Sequence, residues 1–302
     1  MKKILVIGAN GFLGKTILRI SKESGNIYQD FKFIAADIDN INIPPEIPFY
    51  YIDITKSEDS LKKIENISPD VILLTAAMTD VDACEIEKDL ATKVNTEGPK
   101  NIIKACKKTN SKLLFISTDF IFDGKKEKGA YKETDLPNPL SHYGKTKYEA
   151  ELAILHSELD FLICRIAVLY GWNKEKLNFI TWILSKLKQE EEISIVTTQI
   201  NSPTYVINLS KILLELIKKD AQGIYHTAGD CVLNRYEIAL ICAEIFNYNK
   251  TLIKPIKYFK QRAIRPKNGG LNREKLKRLI GNELKIFNLN DGLIHMRENL
   301  KE

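Results

Sequence analysis

Histidine and tryptophan are scarce in this 302-residue chain, at four and two copies, and His142, His156, His226 and His295 stand far apart. Isolated histidines offer no metal cluster. The five cysteines, Cys84, Cys106, Cys164, Cys231 and Cys242, are odd in number and lie mostly inside apolar runs. No pair has zinc-ligand spacing, so reduced core thiols in a cytoplasmic protein are the expectation. A G-x-S-x-G elbow is missing, which removes the serine-hydrolase reading. No apolar run reaches the ~18 residues that a membrane span needs. The opening MKKILVIGANG has four branched apolar residues before Gly8, too few for a secretory leader, so a soluble protein is expected. There is no internal repeat or low-complexity stretch. Charge of one sign is also lacking: Lys+Arg 45 against Asp+Glu 39 leaves +6, scattered along the chain. Such scatter reads as a solvated surface without the basic stripe of a nucleic-acid binder.

What is present is an ordinary globular balance, 44% hydrophobic and 28% charged. Short apolar runs at Lys3–Ile7, Lys32–Ala36, Phe49–Ile52, Val71–Thr75, Lys112–Ser117 and Phe161–Arg165 read as strands buried on both faces. Amphipathic stretches fall between them, at Phe12–Ser24, Ser57–Ile67, Cys84–Lys108 and Tyr143–Ser157. This alternation predicts an α/β fold, a doubly wound parallel sheet of Rossmann type. After Arg165 the alternation loosens, with helices expected at Glu175–Lys188, Tyr205–Lys219, Arg235–Phe246, Arg273–Leu279 and Asp291–Asn299.

The first strand runs into Gly8-Ala9-Asn10-Gly11-Phe12-Leu13-Gly14 and then a helix. Glycines at such a junction allow a tight turn and close backbone approach, and the helix N-terminus offers free N–H groups to a pyrophosphate. The GxxGxxG spacing is the short-chain dehydrogenase variant of the dinucleotide turn. The division expected from it is a dinucleotide-binding domain over 1–165 and a smaller C-terminal α/β substrate-binding region over 166–302. A strand near 223–227 has the option of returning to the first domain. Strand two ends at Asp37, 23 residues after Gly14. A carboxylate there can accept from both adenine-ribose hydroxyls and repel a 2′-phosphate, which favours NADH over NADPH. Asp39 is its rival. Asp53, after the third strand, is placed to meet the adenine amino group, though Asp is also a common turn residue.

A Tyr-x-x-x-Lys pair on one helical face lets an ammonium lower a phenol's pKa. Tyr28/Lys32, Tyr143/Lys147 and Tyr170/Lys174 all have this spacing. Only Tyr143 opens a strongly helical segment between strands five and six, and context selects that pair. Strand five ends in Ser117-Thr118-Asp119, at the sheet edge where open α/β folds bind ligands. Ser117 and Thr118 compete for the role of a hydroxyl that holds a carbonyl oxygen while the tyrosine protonates it. The cluster Arg262, Arg265 and Lys267 could bind a diphosphate, Arg265 above all, because a guanidinium fork suits phosphate oxygens. The competing reading makes that segment a solvated loop, or one that packs the C-terminal region against the sheet.

GANGFLG, AAMTDVDACE, VNTEGPKNI, STDFIFDG, YGKTKYEAE, RIAVLYG, the SPT of Asn201–Thr204 and RPKNGGLNREKL together resemble the dTDP-4-dehydrorhamnose reductase family of extended short-chain dehydrogenases/reductases. The resemblance covers nearly the whole chain. It implies Thr118, Tyr143 and Lys147 as the catalytic set, with Asp119 assisting. It also implies cofactor contacts from Gly8, Asn10, Gly11, Phe12, Leu13, Gly14, Asp53, Ile54, Ala76, Ala77, Thr79 and Asn95. The expected cofactor is NADH or NADPH, and the expected partners are a nucleotide-sugar substrate and a second copy of the chain, with no metal, nucleic acid or membrane. Two departures fall in the substrate half. Ile166-Ala167-Val168-Leu169 stands where members often carry an aromatic residue, and the stretch Thr198-Gln199-Ile200-Asn201-Ser202-Pro203-Thr204 lacks the Asp that members carry before the glycine of a DQxGxPT segment. Two other readings stay open: a sugar-nucleotide epimerase or dehydratase, and a non-catalytic subunit that regulates a methionine adenosyltransferase.

Overall fold

A computed structural model describes residues 1–23, 28–41, 43–126 and 129–300. Its largest feature is a parallel sheet in the order β3-β2-β1-β4-β5-β6-β10. The strands are β1 (Lys2–Ile7), β2 (Phe31–Asp37), β3 (Phe49–Tyr51), β4 (Val71–Leu74), β5 (Lys112–Thr118), β6 (Phe161–Tyr170) and β10 (Gly223–His226). Period-two alternation divides their side chains between two cores. Ile4 and Val6 of β1 enter one apolar cluster, while Leu5 and Ile7 enter the other.

Helices α1 (Phe12–Glu23) and α8 (Val206–Lys218) cover the first face. Helices α2 (Ser57–Ile67), α5 (Gly98–Thr109) and α6 (His142–Leu155) cover the second. Each fully buried aliphatic side chain contributes roughly 1.5–3 kcal/mol, so two continuous cores fix the strand register strongly.

The expected boundary at residue 165 falls inside β6, which runs on to Tyr170. Strand β10 pairs with β6 in parallel, Gly223 opposite Leu162 through His226 opposite Arg165, so the chain re-enters the large sheet. A third core lies beyond the sheet, among α7 (Phe179–Lys188), α9 (Arg235–Ile245), α11 (Leu289–Glu298) and the paired strands β7 (Ile193–Val196) and β12 (Ile253–Ile256). Strands β8 (Ile200–Asn201), β11 (Leu233–Asn234) and β13 (Asn268–Gly269) form a second small sheet. Strand β9 (Pro203–Tyr205) joins the far end of β6 past an irregularity between Ala167 and Leu169.

The segment expected as one helix over Cys84–Lys108 is broken. It forms α3 (Val81–Ile86), α4 (Lys88–Thr92), a π-helical turn over Lys93–Glu97 and then α5. Pro99 has no N–H to continue the ladder, so the preceding carbonyls re-pair in a wider turn. Among the described residues no helix is long and apolar enough to cross a membrane.

Candidate active site

Strand order reverses between β1 and β4, and a cavity of about 1040 Å³ opens at their carboxyl ends. One end of it is built by the glycine turn. Gly8 has φ +89°, and a Cβ there would lie 2.6 Å from the Thr75 hydroxyl. A Cβ on Gly14 would strike the Gly8 carbonyl oxygen, so α1 can start this close to β1 only with glycine at that position. Gly8, Asn10, Gly11, Phe12 and Leu13 line the cavity, whereas Gly14 supports the turn from behind.

The adjoining wall comes from Asp37, Ile38, Asp39, Asp53 and Ile54. Asp37 accepts from the Asn10 N–H at 2.8 Å and from the Ile38 N–H at 2.8 Å. Burial raises its carboxyl pKa, and these two N–H bonds oppose the shift. Asn10 donates its side-chain N–H₂ to the Asp39 carboxylate, while its Oδ1 is buried without a partner. The Asp53 carboxylate caps the next turn, accepting from Thr55 N at 2.9 Å and Thr55 Oγ1 at 2.7 Å.

Ala76, Ala77 and Thr79, which follow β4, line the middle of the cavity. Asn95 does not. Its amide faces the core, accepting from Met78 N at 2.8 Å and donating to Met78 O at 3.0 Å. The π turn swings Asn95 inward, where its two bonds to Met78 hold the backbone beside Ala76 to Thr79 and a third donates to Thr146 Oγ1 at 3.3 Å.

The far end collects Ile116, Ser117, Thr118, Asp119, Phe120, Tyr143, Lys147, Ile166, Val168 and Leu169. Ser141 caps α6 by accepting from Gly144 N at 3.1 Å, which places Tyr143 and Lys147 on its first turns. The Tyr143 ring meets Phe120 edge-on at 5.7 Å. Burial pushes its phenol above the ordinary range, opposed by the neighbouring Thr118 hydroxyl and reinforced by the nearby Asp119 charge. The Lys147 ammonium lies 3.9 Å from the centre of the Phe115 ring. Burial pulls its pKa down to about 7, against the pull of Glu151. Both Glu151 oxygens are already engaged by Arg165, at 3.0 and 2.7 Å, which leaves Lys147 without a carboxylate partner among the described residues.

Thr118 donates to Asp119 at 3.2 Å, and Asn201 donates to the other Asp119 oxygen at 3.3 Å. Arg235 in turn donates to Asn201 at 3.1 Å and stacks over Phe179 at 4.3 Å. Burial raises the Asp119 carboxyl to about 7, with Thr118, Arg235 and Asn201 each acting in the other direction. Asn201 and Arg235 come from distant parts of the chain; Arg235 carries no motif, and Asn201 enters the sequence reading only at the head of the SPT stretch.

Neither rival tyrosine reaches the cavity. Tyr28 packs into the core below α1, and Tyr170 is fully buried with its hydroxyl 3.5 Å from the Leu289 carbonyl. Arg265 is also elsewhere. Its guanidinium forks onto Asp82 of α3, at 2.8 and 3.2 Å, so a carboxylate fills the geometry that a diphosphate would need. The segment Asn173–Asn178 was not singled out by sequence. Four of its residues besides Asn173 line the cavity, and Lys15 of α1 holds it through Asn173 at 3.0 Å and Glu175 at 2.8 Å.

The cradle of Gly8 and Gly14, the unpaired Asn10 oxygen, and the Tyr143–Lys147–Thr118 group fit a nicotinamide dinucleotide laid along the cavity. The model of the RmlD substrate binding domain family matches residues 1–297. The chain belongs to the dTDP-4-dehydrorhamnose reductase family. It is 31% identical over 246 residues to the dTDP-4-dehydrorhamnose reductase of Aggregatibacter actinomycetemcomitans, covering 80% of this chain and 78% of the relative. The dTDP-4-dehydrorhamnose reductase of Bacillus anthracis, solved in complex with NADP, superposes with a TM-score of 0.86 at 29% identity, over 99% of each chain. Methionine adenosyltransferase 2 subunit beta of Rattus norvegicus is 30% identical over 287 residues, 92% of this chain and 82% of that one.

Proposed function

We propose that the chain is an NAD(P)H-dependent reductase of the C4 ketone of a nucleotide-activated deoxysugar, converting dTDP-4-dehydro-L-rhamnose to dTDP-L-rhamnose. The observation that carries this is the placement of Tyr143, Lys147 and Thr118 together at one end of a cavity whose other end is a dinucleotide turn. The cofactor supplies hydride to the ketone carbon. The chain's residues manage the oxygen. Tyr143 donates the proton that converts the developing alkoxide to an alcohol. Lys147, without a carboxylate partner among the described residues, would hold a ribose hydroxyl and, when charged, would lower the tyrosine pKa. Thr118, whose single O–H points to Asp119 in the free chain, would turn that donor to the same oxygen, a contribution of roughly 3–4 kcal/mol for a well-placed oxyanion donor. Asp119 orients Thr118 and would accept in turn from the substrate.

Gly8, Asn10, Gly11, Phe12 and Leu13 would bind the cofactor diphosphate, Asp53 and Ile54 the adenine side, and Ala76, Ala77 and Thr79 the middle. Gly14 and Asn95 would act through the backbone they support. Asp37, already near the ribose position, favours NADH at least as strongly as NADPH. A homodimer is part of the proposal, and sedimentation of the pure chain decides it.

A panel of 4-keto nucleotide sugars incubated with NADH and with NADPH, followed at 340 nm, tests the reaction. Stoichiometric loss of absorbance with appearance of the 4-hydroxy sugar supports it. Turnover without net oxidation of added NAD(P)H would point to an epimerase or dehydratase instead. The likeness to the methionine adenosyltransferase subunit supports a second, non-catalytic reading. The assembled Tyr143, Lys147 and Thr118 favour the enzyme, since a pure binder has no use for a placed proton donor.

A further inference from the structure

Among the buried side-chain atoms left without a hydrogen-bond partner in the described residues are two on the cavity wall, Asn10 Oδ1 and Ser117 Oγ. Asn10 lies in the glycine turn, where a cofactor contact is already expected. Ser117 has no such assignment. It is 2% exposed, whereas its neighbour Thr118 already donates to Asp119 and accepts from the Phe120 N–H. Strand alternation places Ser117 on the same face of β5 as Leu113 and Phe115, whose cluster lies under α6. Phe115 is the ring beneath the Lys147 ammonium. Ser117 Oγ, and Lys147 Nζ, which has no carboxylate partner among the described residues, are therefore on one face of the sheet at the nicotinamide end of the cavity. A buried hydroxyl with no partner is unfavourable in the folded chain, and alanine would fit the same space without that cost. A serine there is accounted for if its hydroxyl is satisfied once the cavity is filled, and a hydroxyl can both donate to and accept from a sugar hydroxyl.

We propose that Ser117 is a cofactor-positioning residue, hydrogen-bonding the nicotinamide ribose beside Lys147 after a small rotation about its Cα–Cβ bond. The proposal rests on the nicotinamide-cofactor reading above. Its test uses the full chain, wild type and Ser117→Ala, titrated with NADH, NADPH and ADP, with thermal melts in the absence of any nucleotide. Ser117→Ala should melt at the same temperature as the wild type or higher, because it removes an unsatisfied buried group. Its Kd for NADH or NADPH should rise about five-fold, the usual worth of one neutral hydrogen bond. ADP, which lacks the nicotinamide half, should bind both proteins equally.

Equal NADH and NADPH affinity in the two proteins would overturn the proposal and leave the cofactor reading intact. So would a lower melting temperature, or equal weakening of ADP, either of which marks a structural role. A wild type that binds neither NADH nor NADPH would instead overturn the cofactor reading itself.

Discussion

Asp119 and Lys147 hold charge against their surroundings, and both leave a signature in pH. The Asp119 carboxyl rises from 3.8 to about 7 on burial, so the folded chain binds a proton more readily than the unfolded chain across that range. What this contributes to stability is fully present below the unfolded pKa and is lost as the pH climbs toward 7. Lys147 moves the other way, from 10.5 to about 7, so its contribution is present at high pH and is lost as the pH falls through that window. Asp119→Asn abolishes the first effect alone. The melting temperature of the variant relative to wild type should therefore rise between pH 5 and pH 8. A constant difference would show that Asp119 ionises normally. Asp37 makes a second residue-scale prediction. Its carboxylate is tied to the Asn10 N–H at the turn, where a 2′-phosphate would approach. Asp37→Ala should shift the ratio of kcat/KM toward NADPH by about ten-fold, the effect of removing one close like-charge repulsion. A wild type that strongly prefers NADPH, with no change in the variant, would exclude Asp37 from cofactor choice.

At the scale of elements, β6 and the π turn show how local geometry serves the cavity. Val168 has φ +43° at the irregularity in β6, a left-handed conformation that costs a β-branched residue about 1–2 kcal/mol. The strain lies on the cavity wall. Val168→Asn, which tolerates that conformation, should raise stability by about 1 kcal/mol in thermal or urea unfolding. A loss of stability would mean that packing of the Val168 methyls outweighs the strain. Asn95→Leu should cost about 2 kcal/mol or more, since it strands the Met78 N–H and leaves the Met78 C=O only the weak Cys84 thiol donor. Loss of cofactor affinity should accompany it through the backbone at Ala76 to Thr79, and an unchanged Kd would separate that backbone from the cofactor.

Strands β1 to β6 were legible in sequence as short apolar runs, and their observed ends differ by a residue or two except at β6. The expected burial on both faces fails at β3, an edge strand that leaves Tyr50 and Tyr51 exposed. The break in Cys84–Lys108 was not legible, because a helical pattern continues across Pro99 and only the missing N–H reveals the π turn. Helix α7 starts at Phe179 instead of Glu175, set by a capping box between Asn178 and Thr181 that charged, helix-favouring neighbours obscured. The two-residue strands β8, β11 and β13 are too short to carry any period. Tyr143 and Lys147 could be chosen from three pairs because helix context is local. The positions of Asn95 and Arg265 depend on partners 17 and 183 residues away, and no spacing encodes that.

Across the whole molecule, the chain crosses between its parts repeatedly, and the cavity draws on both. The ion pair of Arg265 with Asp82 clasps the C-terminal segment to α3, while Asn201 and Arg235 reach Asp119 from beyond the large sheet. This arrangement places Asn201 and Arg235 behind Asp119, the carboxylate that accepts from the Thr118 hydroxyl. The central claim is that Tyr143 is the proton donor in that assembly. Single-site replacement Tyr143→Phe removes one oxygen and leaves the ring against Phe120. With dTDP-4-dehydro-L-rhamnose and saturating NADH or NADPH, the account predicts a fall in kcat of roughly 10²-fold or more, with cofactor Kd and melting temperature unchanged. A Tyr143→Phe enzyme that keeps wild-type kcat would contradict it, and so would inactivity of Tyr170→Phe in a chain that remains folded.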